Sequence, residues 1–247
     1  MLSPDGPPVR AILLDIEGTT TPVSFVYETL FPYARRQMKD FLVRHWEDAA
    51  VRADVAALRK QHELDAPLGP PPWRDGPRDA QLDSAVAYAG WLSQRDSKCT
   101  PLKSLQGKVC EEGYRSGELR GEVYPDVPRA FARWTTQRKV ICIYSSGSIL
   151  AQKLLFSTTA SGDLTPHIRF FFDTAVGTKT DAESYRRIAA SIGSPASEIL
   201  FLSDVARELD AARQAGMQTS LCLRPGSIEL PASAHPVIRS FEEVFPE

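Results

Sequence analysis

Two rhythms of apolar and polar residues run along this chain, and the change from one to the other divides it. Residues 11–14 are a short unbroken apolar run, the pattern of a strand buried on both faces of a parallel sheet. Helical spacing then takes over. Leu30, Phe31, Ala34, Met38, Phe41 and Leu42 form one stripe in residues 27–44, and Val51, Val55 and Leu58 continue it through residues 45–64. Residues 67–77 hold five prolines and two glycines and predict a loop. Helical signals return over residues 82–94 and 102–114, and Gly113, Gly117 and Gly121 are expected to break the chain after them.

From there the pattern alternates between strand and helix. Strands are predicted at 139–144, 168–173, 199–202, 219–223 and 237–241, with helices at 127–137, 149–156, 181–191 and 206–215. The first strand has nothing to pair with unless it joins this later set. The expected architecture is therefore an α/β core with a parallel sheet, made of residues 1–19 and 123–247. An all-helical insertion, residues 20–122, is expected to cap the strand ends. Most aromatic rings of the insertion (Phe25, Tyr27, Phe31, Tyr33) are expected in its own core.

Charge and composition narrow the function classes. With 29 basic and 31 acidic residues the net charge is −2, which offers no electrostatic footprint for nucleic acid or an anionic membrane. The opening residues lack the basic and apolar regions of a signal peptide, and no apolar run reaches membrane-spanning length. The four cysteines show no C-x-x-C spacing, and Cys142 and Cys222 fall in predicted strands, so a reducing cytoplasm is expected. His45, His62, His167 and His235 share no metal-ligand spacing, and the four tryptophans read as packing residues.

Candidate chemistry sits at the ends of predicted strands, where open α/β sheets bind ligands. Asp15 and Glu17 follow the first strand, and would project to one side if it continued; a turn at Gly18 and three threonines come next. Two crowded carboxylates call for a cation or a proton between them. Ser145, Ser146 and Gly147 lie between a strand and a helix, where N–H groups and hydroxyls suit a phosphate. Lys179 precedes a helix and could neutralise a phosphoryl group and carboxylates; Asp204 follows an apolar strand and could give Mg²⁺ one hard oxygen. Glu208, one turn on, reads as a surface glutamate that could alternatively orient Asp204 or a bound water.

This constellation resembles the haloacid dehalogenase superfamily of aspartate-nucleophile phosphatases. More narrowly, Asp15-Ile16-Glu17-Gly18-Thr19-Thr20-Thr21-Pro22-Val23-Ser24-Phe25-Val26 is similar to the enolase-phosphatases (acireductone synthases) of methionine salvage. Leu30 to Ala34, Tyr144 to Ser148, Phe172 to Thr174 and Leu223-Arg224-Pro225-Gly226 match as well. The acidic pair is Asp-x-Glu where the superfamily has Asp-x-Asp, and the narrower family shares that departure.

The resemblance implies a reaction. Asp15 would be the nucleophile, Glu17 the acid and base, and Lys179 the group steadying both Asp15 and the phosphate. Ser145, Ser146 and Gly147 would hold the phosphoryl oxygens. One Mg²⁺ per subunit would be held by Asp15, Asp204 and the main-chain oxygen of Glu17. The implied substrate is 2,3-diketo-5-methylthiopentyl-1-phosphate, enolised and then dephosphorylated, by a chain expected to be a monomer. The base of the enolisation is left open, with Glu17 one candidate. A plain phosphatase of another small metabolite is the alternative, and a non-catalytic phospho-ligand binder a third reading.

Overall fold

The structure is a computed structural model that describes residues 7–95, 97, 99–225 and 234–246. Gly226 and the opening residues read above as lacking a signal peptide (1–6) lie outside the described residues. The chain forms two compact units, Val26–Leu119, and Met1–Phe25 with Arg120–Glu247.

The first unit is helical. It is entered through a π-helical segment, Phe25–Leu30, and built from α1 (Phe31–His45), α2 (Ala49–Leu64), α3 (Arg78–Gln94) and α4 (Thr100–Ser116). Proline in the first turn starts α1 and α4, where its missing N–H costs nothing. The Asp48 carboxylate caps α2 by accepting from the N–H of Ala50 at 2.8 Å. Each helix turns an apolar stripe inward, including Ala34, Met38 and Phe41 of α1 and Leu102, Leu105 and Val109 of α4.

Gly113 departs from its expected role as a breaker. It lies inside α4, where an added Cβ would stand 2.6 Å from the Tyr33 ring. The residue is small so that α1 can approach, and the chain turns only at Gly117, which takes a left-handed conformation at the end of α4. The aromatic expectation is half corrected. Tyr33 is buried and so is Phe25, which falls in the other unit, but Tyr27 and Phe31 are 54% and 37% exposed and stack edge to face on each other.

The second unit carries six parallel strands: β1 (Ala11–Leu14), β2 (Val140–Tyr144), β3 (Ile168–Phe172), β4 (Ile199–Ser203), β5 (Gln218–Cys222) and β6 (Val237–Ile238). Their order is β3-β2-β1-β4-β5-β6, which places the all-buried β1 at the centre. Leu14 is level with Ile143 of β2 on one side and Leu202 of β4 on the other, so the residues following these strands emerge side by side. Helices α5 (Val127–Thr136), α6 (Ile149–Ser157), α7 (Ala182–Ile192) and α8 (Ala206–Gln214) lie between the strands in sequence, the spacing that parallel pairing requires. Among the described residues no helix is long and apolar enough to cross a membrane.

β6 is shorter than the predicted 237–241. Ser240 and Glu243 close a capping box that starts a 3₁₀ turn, Phe241–Glu243, and so ends the strand. That turn is not inert. The Phe241 N–H and the Ser240 hydroxyl both donate to Asp126 Oδ2, at 2.6 and 3.0 Å, and Arg224 Nη1 donates to the same oxygen at 2.6 Å. The Arg224 guanidinium lies between the Tyr124 and Phe241 rings and donates through Nε to the carbonyl of Thr19 at 2.8 Å. A buried ion pair thus ties the end of the chain to the loop after β1.

Burial by itself would raise the Asp126 carboxyl, but Arg224 and the Phe241 N–H outweigh it and hold its pKa below the usual carboxylate value. Its contribution is therefore intact at neutral pH and lost on acidification through the folded-state value, which lies below that of an ordinary carboxylate. Asp126→Asn leaves Arg224 buried without a counter-charge. In urea unfolding at neutral pH it is expected to cost about 3 kcal/mol or more, and the difference from the parent protein should shrink in acid.

Candidate active site

β1 stops at Leu14, so Asp15 and Glu17 do not continue a strand as the sequence allowed. The Ile16 carbonyl accepts from the N–H groups of Thr19, Thr20 and Thr21, and Gly18 turns the chain at φ +71°. Gly18 is needed twice, since the conformation is left-handed and a Cβ would stand 2.1 Å from Asp204 Oδ2. The turn thereby brings its main chain against the carboxylate at the end of β4.

Asp15 is 2% exposed and both its oxygens are engaged. Oδ1 accepts from its neighbour's N–H (Ile16, 2.7 Å) and from Lys179 Nζ (2.6 Å), and Oδ2 accepts from Ser203 Oγ at 3.1 Å. Lys179 also reaches Glu208 Oε2 at 2.6 Å, and Ser203 Oγ lies 3.1 Å from that same oxygen. Asp15, Lys179, Glu208 and Ser203 close a ring. The serine has one proton for two carboxylates and itself accepts from the Val205 N–H at 3.1 Å. Burial works against the charge on Lys179, but Asp15 and Glu208 overcome it and raise its pKa, so the ammonium stays protonated. Burial and the charge of Asp15 raise the Glu208 carboxyl.

Asp204 is the group left over. Its Oδ1 is buried with no hydrogen-bond partner among the described residues. Burial, then the charge of Asp15, push its carboxyl up to about 7. A partnerless buried carboxylate oxygen beside a second carboxylate is what a cation would relieve. All the donors are hard oxygens, which suits Mg²⁺. Among the described residues no cluster of three or more His, Cys, Asp or Glu side chains forms a cage. Mg²⁺ does not require one, because it keeps several waters and takes one or two carboxylates.

Ser145, Ser146 and Gly147 occupy the turn between β2 and α6. Ser145 is buried, its N–H donates to the Phe172 carbonyl at 3.2 Å, and its Oγ accepts from the Gly147 N–H at 3.1 Å. Ser146 is exposed, and Ser148 caps α6 by accepting from the Ala151 N–H. Gln152 fixes this turn from behind, donating to the carbonyls of Gly147 and Phe172 at 2.8 Å each. Glu17 is half-buried, pairs through its backbone with Thr21, and adds to the negative charge felt by Asp204.

The structure thus joins Asp15 directly to Lys179, sets Asp204 against Gly18, and puts Ser145 just past the end of β2, the strand beside β1. Glu208 corrects the sequence reading. It is no surface residue, since its side chain is 12% exposed and clasps Lys179. Ser203 and Gln152 were not singled out. The signal for the first two lies in Ser203-Asp204-x-x-x-Glu208, which sets the glutamate in the first turn of α8, facing back to the strand end. Gln152 carries no signal, because an amide on a helix has too many uses.

The sequence pattern of the haloacid dehalogenase-like hydrolases matches residues 9–216. A protein of Synechococcus elongatus named enolase-phosphatase E1 is 47% identical over 236 residues, covering 96% of this chain and 98% of that one. One of the same name from Drosophila virilis is 44% identical over 238 residues, covering 94% and 93%. Among solved structures, the UTR4 protein of Saccharomyces cerevisiae is 35% identical with a TM-score of 0.75, over 96% of this chain and all of that one. With strand order, site and sequence in agreement, this chain belongs to the haloacid dehalogenase-like hydrolases and, within them, to the enolase-phosphatase E1 family.

Proposed function

We propose that this chain converts 2,3-diketo-5-methylthiopentyl-1-phosphate to 1,2-dihydroxy-3-keto-5-methylthiopentene, the acireductone of methionine salvage, by enolisation and then dephosphorylation. The names of its full-length relatives give the two activities, and the motifs shared with the acireductone synthases supply the substrate of this reading. The observation that carries the chemistry is a buried carboxylate, Asp15, held at both oxygens by Lys179 and Ser203 beside the partnerless oxygen of Asp204.

In this reading an Asp15 oxygen attacks phosphorus, and the bond from phosphorus to the substrate oxygen breaks as Glu17 gives that oxygen a proton. Glu17 then takes a proton from water, the water attacks the aspartyl-phosphate, and phosphate leaves with Asp15 restored. Lys179 offsets charge on Asp15 and on the phosphoryl group throughout, its own proton secured by Asp15 and Glu208. Ser145 and the N–H groups of Ser146 and Gly147 receive the phosphoryl oxygens at the start of α6, where the helix dipole favours an anion. For Gly147 this means exchanging the Ser145 hydroxyl for phosphate.

Asp15, Asp204 and the Glu17 carbonyl are the groups we assign to one Mg²⁺. When bound it shields the nucleophile from phosphate charge and polarises a substrate carbonyl so that the adjacent C–H is acidic. A single chain carries every group in this scheme, as a monomeric enzyme requires. The four free cysteines fit a reducing cytoplasm.

The first test is an anaerobic reaction of the protein, Mg²⁺ and the diketo phosphate, following enol absorbance and phosphate in one cuvette. An enol signal that precedes phosphate, with both abolished by EDTA, is expected. Phosphate from generic esters with the diketone untouched would replace this reading by that of a plain phosphatase. Asp15→Asn is expected to abolish phosphate release while its circular dichroism matches the parent's. Mg²⁺ at about a hundred times its dissociation constant should stabilise the parent protein by about 2.7 kcal/mol, seen as a raised melting temperature. Asp204→Asn should melt at one temperature with or without the ion.

A further inference from the structure

Lys179 reaches Asp15 from a loop, not from a helix or strand. The segment between Phe172 and Ala182 has only a few internal backbone bonds, such as Val176 N–H to the Asp173 carbonyl and Asp181 N–H to the Thr178 carbonyl. A lysine stem has four rotatable bonds, so a drifting loop would carry the ammonium away from Asp15. Yet three consecutive carbonyls here each receive a side-chain hydroxyl. Tyr144 OH donates to Gly177 O at 2.9 Å, Ser184 Oγ to Thr178 O at 2.7 Å, and Tyr185 OH to Lys179 O at 2.7 Å. All three donors are buried, none more than 1% exposed.

These hydroxyls come from elements already tied to the site. Tyr144 ends β2 and immediately precedes Ser145, while Ser184 and Tyr185 lie in the first turns of α7. The Tyr144 and Tyr185 rings meet edge to face at 5.6 Å, and Tyr185 also packs on Phe201 of β4, two residues before Ser203. Gly177 completes the fit. Its φ is +138°, and a Cβ there would stand 2.2 Å from Ser184 Oγ, so a side chain would push away the hydroxyl that holds Thr178. Ordinary core packing would account for two buried tyrosines. It does not account for three donors meeting successive carbonyls up to and including that of the lysine itself.

We infer that Tyr144, Ser184 and Tyr185 are positioning residues for phosphoryl transfer, a hydroxyl clamp that fixes the backbone of residues 177–179 so that Lys179 meets Asp15. The clamp rests on the part proposed above for Lys179. It acts on geometry alone, since none of the three hydroxyls reaches Asp15 in this arrangement.

The test measures steady-state phosphate release from the diketo phosphate, per folded enzyme, for Lys179→Gln, Tyr185→Phe and Ser184→Ala. The two clamp variants are then repeated in the Lys179→Gln background. Thr219→Val is the control, since it removes a buried hydroxyl bonded to His235 on the far side of β4. Tyr185→Phe and Ser184→Ala should each lower kcat by between about tenfold and about a hundredfold, as small misplacements of catalytic groups do. KM should stay within about twofold, Thr219→Val should keep the parent kcat, and neither clamp variant should cause further loss once Lys179 is Gln. Parent-like turnover in Lys179→Gln would overturn the role given to Lys179 itself. With Lys179→Gln impaired, parent-like kcat in both clamp variants would overturn the clamp. So would undiminished losses in the Lys179→Gln background, or an equal loss in Thr219→Val. If Tyr185→Phe does not fold, Ser184→Ala carries the same comparison.

Discussion

Charge balance at the centre of the sheet is the constraint on which the rest of the site depends. Asp15, Asp204 and Glu208 bring three carboxylates into a largely buried space where, among the described residues, the ammonium of Lys179 pairs with two of them. Removing such groups from water is expensive, and their mutual attraction offsets the cost only where every lone pair is met. Lys179 and Ser203 meet Asp15 and Glu208, and none of the described residues meets Asp204 Oδ1. The raised carboxyl of Asp204 is that deficit seen as a proton affinity. Buried excess negative charge of this kind favours the uptake of a cation.

The sheet supplies this arrangement because β1 is central. Its neighbours β2 and β4 run parallel and in register, so the residues beyond Leu14, Tyr144 and Leu202 come out together. β1 is four apolar residues long and β4 is apolar up to Ser203, which fixes the depth at which their polar ends begin. Behind the site, the loop after β1 is anchored by main-chain carbonyls. Thr19 accepts from Arg224, and Thr20 accepts from the Tyr124 N–H at 2.9 Å. The loop that carries Asp15 is therefore held from behind by main-chain bonds.

What could be read from the sequence follows from how local each signal is. Strand ends followed by Asp15, Ser145 and Asp204 are visible as an apolar run meeting a polar residue, and Gly18 as a turn. Lys179 was legible only because other candidates stood in order around it. Glu208 reads as solvated, as a glutamate in the first turn of a helix most often is, and its burial depends on how α8 meets β4. Ser203 looked like the last residue of a strand. Gly113 shows the same limit in the helical unit. Helix propensity marks it as a break, whereas the approach of Tyr33 makes it a contact. Each of these depends on a partner distant in sequence, which periodicity does not encode.

The glycines at 18 and 177 connect these observations. At both, a side chain would strike a polar group that the site requires, Asp204 Oδ2 in one case and Ser184 Oγ in the other. Both also have positive φ, so the backbone has adopted conformations that most residues resist, in order to bring main chain against side chain. The first glycine lets the loop after β1 close on the Asp204 carboxylate. The second lets a helix hydroxyl close on the lysine loop. Charge is placed to within hydrogen-bonding distance here by the omission of two methyl-sized groups, and the apolar strands beneath carry the conformational cost of that omission.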